Sequence, residues 1–311
     1  MPDTPNKTKM ARKKAREAEK KFADKIRTYV SKHKSVAQDV AIFKDMLGYG
    51  RFTNTMLASD VRLRRQASKY LGEGLEKFSK ENPDLTFHFW TLTHSRGNIS
   101  DRDPCIDLKF LRSIIDKAFR KLRLDAIYVI EMQGVGNFPR KGEGRTMMVH
   151  GHVISWTSQP FDIKLVLEDF HSGDVWHNDL SAKPIVIKKI GSAEGELDYL
   201  AYYLLKPPYE VKMLEDRADG GRLKATEAGY RPEFAARILE GQSQLELKEL
   251  VRSVNGGKLI RQDWSRRLSS WHRSRQGWSR GNIPAYYFTD LWDRYRMKKR
   301  KRTYAPYTII R

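Results

Sequence analysis

His150 and His152 stand one residue apart in Met147–Trp156, a run of β-formers. On a strand, residues two apart project from the same face, so two imidazoles there can reach one ion. Taken alone, such a pair among eight histidines is easily accidental. The preceding apolar run, Ala126–Met132, carries Glu131 between Ile130 and Met132. Antiparallel pairing of the two runs brings that carboxylate beside the histidines, and a buried carboxylate needs a metal or a hydrogen-bond partner. Two imidazoles and one carboxylate leave positions open for substrate oxygens. Mixed N/O ligation suits Mn²⁺, and also Mg²⁺ when phosphate oxygens and water complete the shell.

A second group lies in Leu197–Lys206, LDYLAYYLLK. On a helix, Tyr199, Tyr203 and Lys206 share one stripe, and Tyr202 sits about 100° around from Tyr203. Tyrosines at this spacing also suit a helix packed on a sheet. As a nucleophile, a phenol with a pKa near 10 needs a cation or a metal-polarised phosphate. Lys206 offers the cation.

These groups need a scaffold. Leu85–Thr93 alternates as a strand. A helix is expected from Asp103–Pro104, with Ile106, Phe110, Ile114, Ala118 and Leu122 on its apolar face. Ala126–Met132 and Met147–Trp156 form a hairpin around the basic loop Gln133–Arg145, whose Arg140, Lys141 and Arg145 are candidate DNA contacts. A helix at Phe161–Phe170, a strand at Pro184–Ile190 and a helix at Glu194–Lys206 follow, and Pro207–Pro208 ends the last. The fold class is α+β. Three zones result: a basic helical region over 1–83, the domain bearing the histidines and tyrosines over 84–210, and a basic, Trp-rich region over 211–311, helical where it can be read.

In that last region Trp264, Trp271 and Trp278 recur every seven residues among Arg266, Arg267, Arg273, Arg275 and Arg280. The pattern fits base stacking with phosphate contacts, and equally a buried helical stripe. Lys298–Arg302 (KKRKR) reads as a solvated tail or a phosphate contact. His171 and His177 read as surface or packing residues. Lys plus Arg number 59 against 38 acids, a formal charge of +21. That excess points to a polyanionic partner, and nucleic acid is favoured because no apolar run approaches the ~20 residues of a membrane span. The lone Cys105 excludes a disulfide within the chain and a cysteine zinc site. With no secretory signal in view, a cytoplasmic location is expected.

In order and spacing, Phe89–Thr93 (FWTLT), His150–Gly151–His152 and Tyr203-Leu-Leu-Lys206 resemble the three motifs of the HUH endonucleases that initiate rolling-circle replication. Tyr199 and Tyr203 have the spacing of the two-tyrosine phage type. Gly151 stands where the family has a bulky apolar residue, and Tyr202 where two-tyrosine members carry a second lysine. The resemblance covers residues 84–210. It implies a ferredoxin-like antiparallel sheet with the tyrosine helix across a metal on its open face. Mg²⁺ or Mn²⁺ would be held by His150, His152 and Glu131, and Tyr203 would attack single-stranded DNA at a replication origin. The product would be a 5′-phosphotyrosine link and a free 3′-hydroxyl, with Tyr199 as a second acceptor. No G-x-x-x-x-G-K-[ST] loop occurs, so a host helicase would be borrowed. A single-strand transposase of the same chemistry, or a non-catalytic DNA-binding regulator, are the alternatives.

Overall fold

Among the described residues the longest pairing joins β3 (Asp125–Gly136) to β4 (Arg145–Thr157), an antiparallel ladder in which Glu131 faces His150 and Val129 faces His152. Both strands are buried on both faces for most of their length. This explains why Ala126–Met132 is a continuous apolar run rather than an alternating one. In this computed structural model the described residues are 7–32, 46–48, 55–101, 106–136, 145–172, 176, 184–191, 193–215 and 224–276.

Around the hairpin the eight-stranded sheet runs β5-β1-β4-β3-β6-β7. Here β1 is Thr86–Leu92, β5 Ile185–Lys189, β6 Glu210–Glu215 and β7 Lys224–Gly229. Two shorter strands complete it: β2 (Asn98–Ser100) extends the β1 side of β4, and β8 (Val251–Val254) pairs with the first part of β3. Every pairing is antiparallel except the short contact of β3 with β6, at Val135 and Gly136. The protein is therefore α+β with a mixed sheet.

Strand alternation divides the helices between two layers. On the side of Trp90, the indole packs on Phe119 of α3 (Leu108–Lys121) and Phe170 of α4 (Ile163–Ser172), with ring centroids 4.9 and 6.3 Å away. The opposite side, that of Glu131, His150 and His152, carries α5 (Glu196–Leu205). Over α5 lie α2 (Val61–Glu81) and α1 (Lys7–Lys32), and α6 (Pro232–Ser243) packs on α1. A short helix α7 (Leu247–Leu250) leads into β8, and α8 (Gly257–Gln276) packs on α2. One apolar core links all of these, from Phe22 to Leu268.

Several elements differ from their sequence expectations. Helix α3 starts at Leu108 with Asp107 as its N-cap, the carboxylate accepting from the Phe110 amide at 3.0 Å. Its buried stripe is Leu108, Leu111, Ile115, Ala118 and Phe119, while Ile106, Phe110, Ile114 and Leu122 flank it. Two apolar diagonals run side by side on this helix. The sheet takes the one that delivers Phe119 to Trp90. Helix α5 stops at Leu205, because Pro207 drives Lys206 out of helical geometry to φ −58°, ψ 139°. The region after 210, expected to be mainly helical, carries α6, α7 and α8 but also contributes β6, β7 and β8 to the sheet. These short strands lack the long alternation that marks a strand in sequence. Arg140, Lys141, Cys105, His177, Trp278, Arg280 and Lys298–Arg302 lie outside the described residues, as does the His171 side chain.

Gly151 has a packing reason. A Cβ there would stand 2.7 Å from Ile115 Cδ1, on the face opposite the histidines. Gly151→Ala is expected to cost little, since a terminal methyl can turn aside, whereas Gly151→Val should cost about 1–3 kcal/mol of unfolding free energy. Chemical denaturation should show Ile115→Ala recovering part of that loss in the Gly151→Val background. Independent, additive losses would refute the packing explanation.

Candidate metal centre

Register brings the three ligand candidates together. Glu131 and His150 are direct partners across the hairpin, and His152 lies one pleat further along β4, on the same face. His150 Nε2 stands 3.1 Å from His152 Nε2, and Glu131 Oε2 lies 3.1 Å from His152 Nε2 and 3.7 Å from His150 Nε2. Ligands each about 2.1 Å from a shared ion stand roughly 3 Å apart, so these atoms already have coordination spacing. All three side chains are buried, at 3% (Glu131), 5% (His150) and 3% (His152) exposure.

Hydrogen bonding sets the proton positions. His150 Nδ1 lies 3.3 Å from the Met148 carbonyl, which can only accept, so Nδ1 carries the proton and Nε2 presents a lone pair. That lone pair faces His152 Nε2. Burial, and then the neighbouring His152, push the His150 pKa down to about 4, so it stays neutral as a ligand must be. For Glu131, burial pulls upward, but the His152 hydrogen bond and the His152 and Lys206 charges outweigh it and keep the carboxyl well below the usual range. Glu131 Oε1 is buried with no hydrogen-bond partner among the described residues. A divalent ion fits this set: it would meet a neutral imidazole, an ionised carboxylate and an orphaned oxygen at once. Behind the ligands, Thr91 Oγ1 lies 3.2 Å from His152 Nδ1 and Phe89 stacks on the His152 ring at 5.3 Å. Both belong to the FWTLT strand, which thus supports the histidines from behind.

The tyrosine helix lies across this face. Tyr203 packs edge-on to His152 with ring centroids 5.2 Å apart, and Lys206 Nζ sits 4.2 Å from the Tyr203 ring centroid. Tyr199, Tyr203 and Lys206 line one cleft of about 210 Å³ with Gln133, Lys212 and Lys14 of α1. Tyr202 turns toward α1 and donates to the Ala11 carbonyl at 3.3 Å. Lys206 does not bring the Tyr203 phenol below its ordinary range. Burial, then the Glu131 charge, push the Tyr203 phenol up to about 12. Lys206 covers the ring face, and its position just beyond the helix follows from Pro207.

Three contributors went unnoticed in the sequence. Arg64 of α2, buried at 3% exposure, donates to the Ala58 carbonyl and, at 3.3 Å, to the Leu205 carbonyl at the end of α5. Its signal was a charge inside the apolar stripe Val61, Arg64, Ser68, Leu71, Leu75. Gln133, two residues beyond Glu131 on the same face, donates to the Glu210 carbonyl. Helix α1 walls the cleft, with Arg12 on Asp198 at 3.4 Å and Lys14 on Glu227 at 2.9 Å.

The candidate DNA contacts lie elsewhere. Arg145 pairs with Asp101 at 2.8 Å and Glu233 at 3.6 Å, Arg266 pairs with Asp263 at 2.6 Å, and Arg267 pairs with Glu73. Arg273 and Arg275 stand in the exposed last turn of α8. None of these five lines the tyrosine cleft. Trp264 is core, its indole donating to the Ala67 carbonyl at 3.0 Å, and Trp271 is half-buried against the same core.

Comparisons with protein-family models, with curated proteins and with solved structures gave no match for this chain. No described helix is long and apolar enough to cross a membrane.

Calorimetric titration with Mn²⁺ should show one site per chain. His150→Ala and His152→Ala should each abolish measurable binding, and Thr91→Val should weaken it by about 10-fold or more. Unchanged affinity in both histidine variants would place the ion elsewhere.

Proposed function

We propose that this chain is a metal-dependent enzyme of the HUH endonuclease type that nicks and rejoins single-stranded DNA, acting as a rolling-circle replication initiator. The observation that carries the reading is the Tyr203 ring set against His152 of the Glu131–His150–His152 group, with Lys206 beside it. A packing helix has no need of buried facing imidazoles beneath it. A sheet carrying a metal group on the face crossed by a tyrosine helix also suits a ferredoxin-like frame of that family. The net charge of +21 suits a DNA partner, here the origin strand, with a host helicase to unwind it in the cytoplasm.

His150 Nε2, His152 Nε2 and Glu131 would hold Mg²⁺ or Mn²⁺. Such an ion supplies Lewis acidity at a scissile phosphate and draws negative charge from it. The chain's own residues do the rest. Tyr203 Oη attacks phosphorus, the bond between phosphorus and the 3′ oxygen breaks, and a 5′-phosphotyrosine and a free 3′-hydroxyl form. The net proton movement is from the phenol to the departing 3′ oxygen. A phenol held near 12 stays protonated at rest, so attack is tied to the arrival of substrate and ion. Lys206 meets phosphate charge at the cleft, and Tyr199, one turn away, would accept a second strand. Reversal reseals the DNA.

With Mn²⁺ and single-stranded oligonucleotides from the DNA around its own gene, the protein should form an adduct stable on a denaturing gel. Tyr203→Phe should lower its yield by at least about 100-fold, the scale of losing a covalent nucleophile, while Tyr199→Phe should leave the first adduct in place. An adduct that survives Tyr203→Phe, or none with any such strand, would overturn the reading.

A further inference from the structure

Beyond the metal centre, a second set of charges gathers on the α3 side of the sheet. Arg112 of α3, Lys248 of α7, Arg252 of β8, and Arg261 and Arg273 of α8 come together where α3 and α8 flank β8. Arg252 is the register partner of Tyr128, whose side chain is directed to the face opposite Glu131 and donates to Asp116 at 2.7 Å.

Among the described residues these cations are held by neutral acceptors rather than by ion pairs. Arg112 donates to the Glu249 carbonyl, Arg261 to the Val251 carbonyl at 2.8 Å, and Lys248 to Ser269 Oγ at 2.5 Å. Backbone oxygens and a hydroxyl orient a cation without cancelling its charge. Among the described residues none of the five is ion-paired, although their neighbours Arg120, Arg266 and Arg267 all are. The nearby acids are engaged: Asp116 by Tyr128 and Arg120, and the Glu249 carboxylate by the Glu246 amide at 3.0 Å. Arg112 Nε is buried with no hydrogen-bond partner among the described residues. Burial, then the Arg252 charge, lower the pKa of both Arg112 and Arg261, a sign of like charges held close. Crowding of this kind is costly unless a polyanion relieves it.

We propose that this cluster is a nucleic-acid backbone site separate from the metal centre, binding phosphodiesters through Arg112, Arg252, Arg261, Arg273 and Lys248. It does not rest on the nicking reading, since it needs neither metal nor tyrosine. Backbone contacts of this kind position a strand without reading its sequence.

The test is fluorescence anisotropy of the full chain with a labelled single-stranded oligonucleotide, in EDTA, over a salt series. Among the described residues the Arg252 and Arg273 side chains make no hydrogen bond, so Arg252→Ala/Arg273→Ala can be compared with wild type at equal folded fraction. The double variant should bind at least about fivefold more weakly. Its salt dependence should be shallower by about 0.7 for each arginine removed. Arg252→Lys should restore the slope, and Lys77→Ala, removing one exposed charge of α2, should leave it as in wild type. A double variant indistinguishable from Lys77→Ala would overturn the proposal. So would displacement of the strand by inorganic phosphate at equal phosphate concentration, which would mark a small-anion site. An absent covalent adduct would leave this binding result untouched, so the two readings fail separately.

Discussion

Two imidazole nitrogens, 3.1 Å apart in a buried position beside an ionised carboxylate, are the constraint to which the rest of the molecule answers. A lone pair on His150 Nε2 cannot rest against a second lone pair on His152 without a proton or a cation between them. Everything nearby serves that arrangement. The β3–β4 ladder fixes its register, and a slip of one residue would turn both histidines into the α3 layer. Met148 selects the His150 tautomer, and Thr91 meets the outer nitrogen of His152. Uncompensated, a buried carboxylate is destabilising by several kcal/mol, so such a group persists only where something needs it.

The tyrosine helix is held over this group at both ends by α2. At its start the Glu76 carboxylate accepts from the Asp198 amide at 3.2 Å, where an acid suits a helix N-terminus. At its end the Arg64 guanidinium meets the Leu205 carbonyl, where a cation suits the C-terminus. Gly72 permits the close approach between the two helices, since a Cβ there would lie 2.4 Å from Asp198 Oδ1. The far wall of the cleft is of another kind. The second half of α1 is anchored by buried Phe22, Ile26 and Val30, whereas its first half is held to the neighbouring elements by the Arg12 and Lys14 ion pairs and by the Ala11 carbonyl. Exposed ion pairs are weak and salt-sensitive, so this wall is held in part by contacts that salt weakens.

Much of the site was legible because it obeys the period of its elements. His150 and His152 are two apart on a strand, Glu131 stands out in an apolar run, and Tyr199 and Tyr203 are one helical turn apart. Where long-range packing decided the matter, sequence was mute. Gly151 is explained by Ile115 on another element, and Arg64 by the end of a helix far along the chain. The α3 stripe was misplaced because two apolar diagonals compete and only Trp90 chooses between them. Short strands such as β8 carry too few residues to show alternation. Arginines that looked free, Arg145 and Arg267 among them, are held in ion pairs formed across the fold. The unpaired set around Arg252 follows no pattern along the chain, since four elements contribute to it.

Whether the buried group on β3 and β4 is a metal centre with two imidazole ligands is tested most directly by pulsed electron paramagnetic resonance on the Mn²⁺-loaded protein. Nitrogen couplings from two imidazoles bound directly to manganese are expected, perturbed in Thr91→Val, with no bound-manganese spectrum in His150→Ala. A manganese signal without directly bound nitrogen, unchanged by substitution of either histidine, would contradict it.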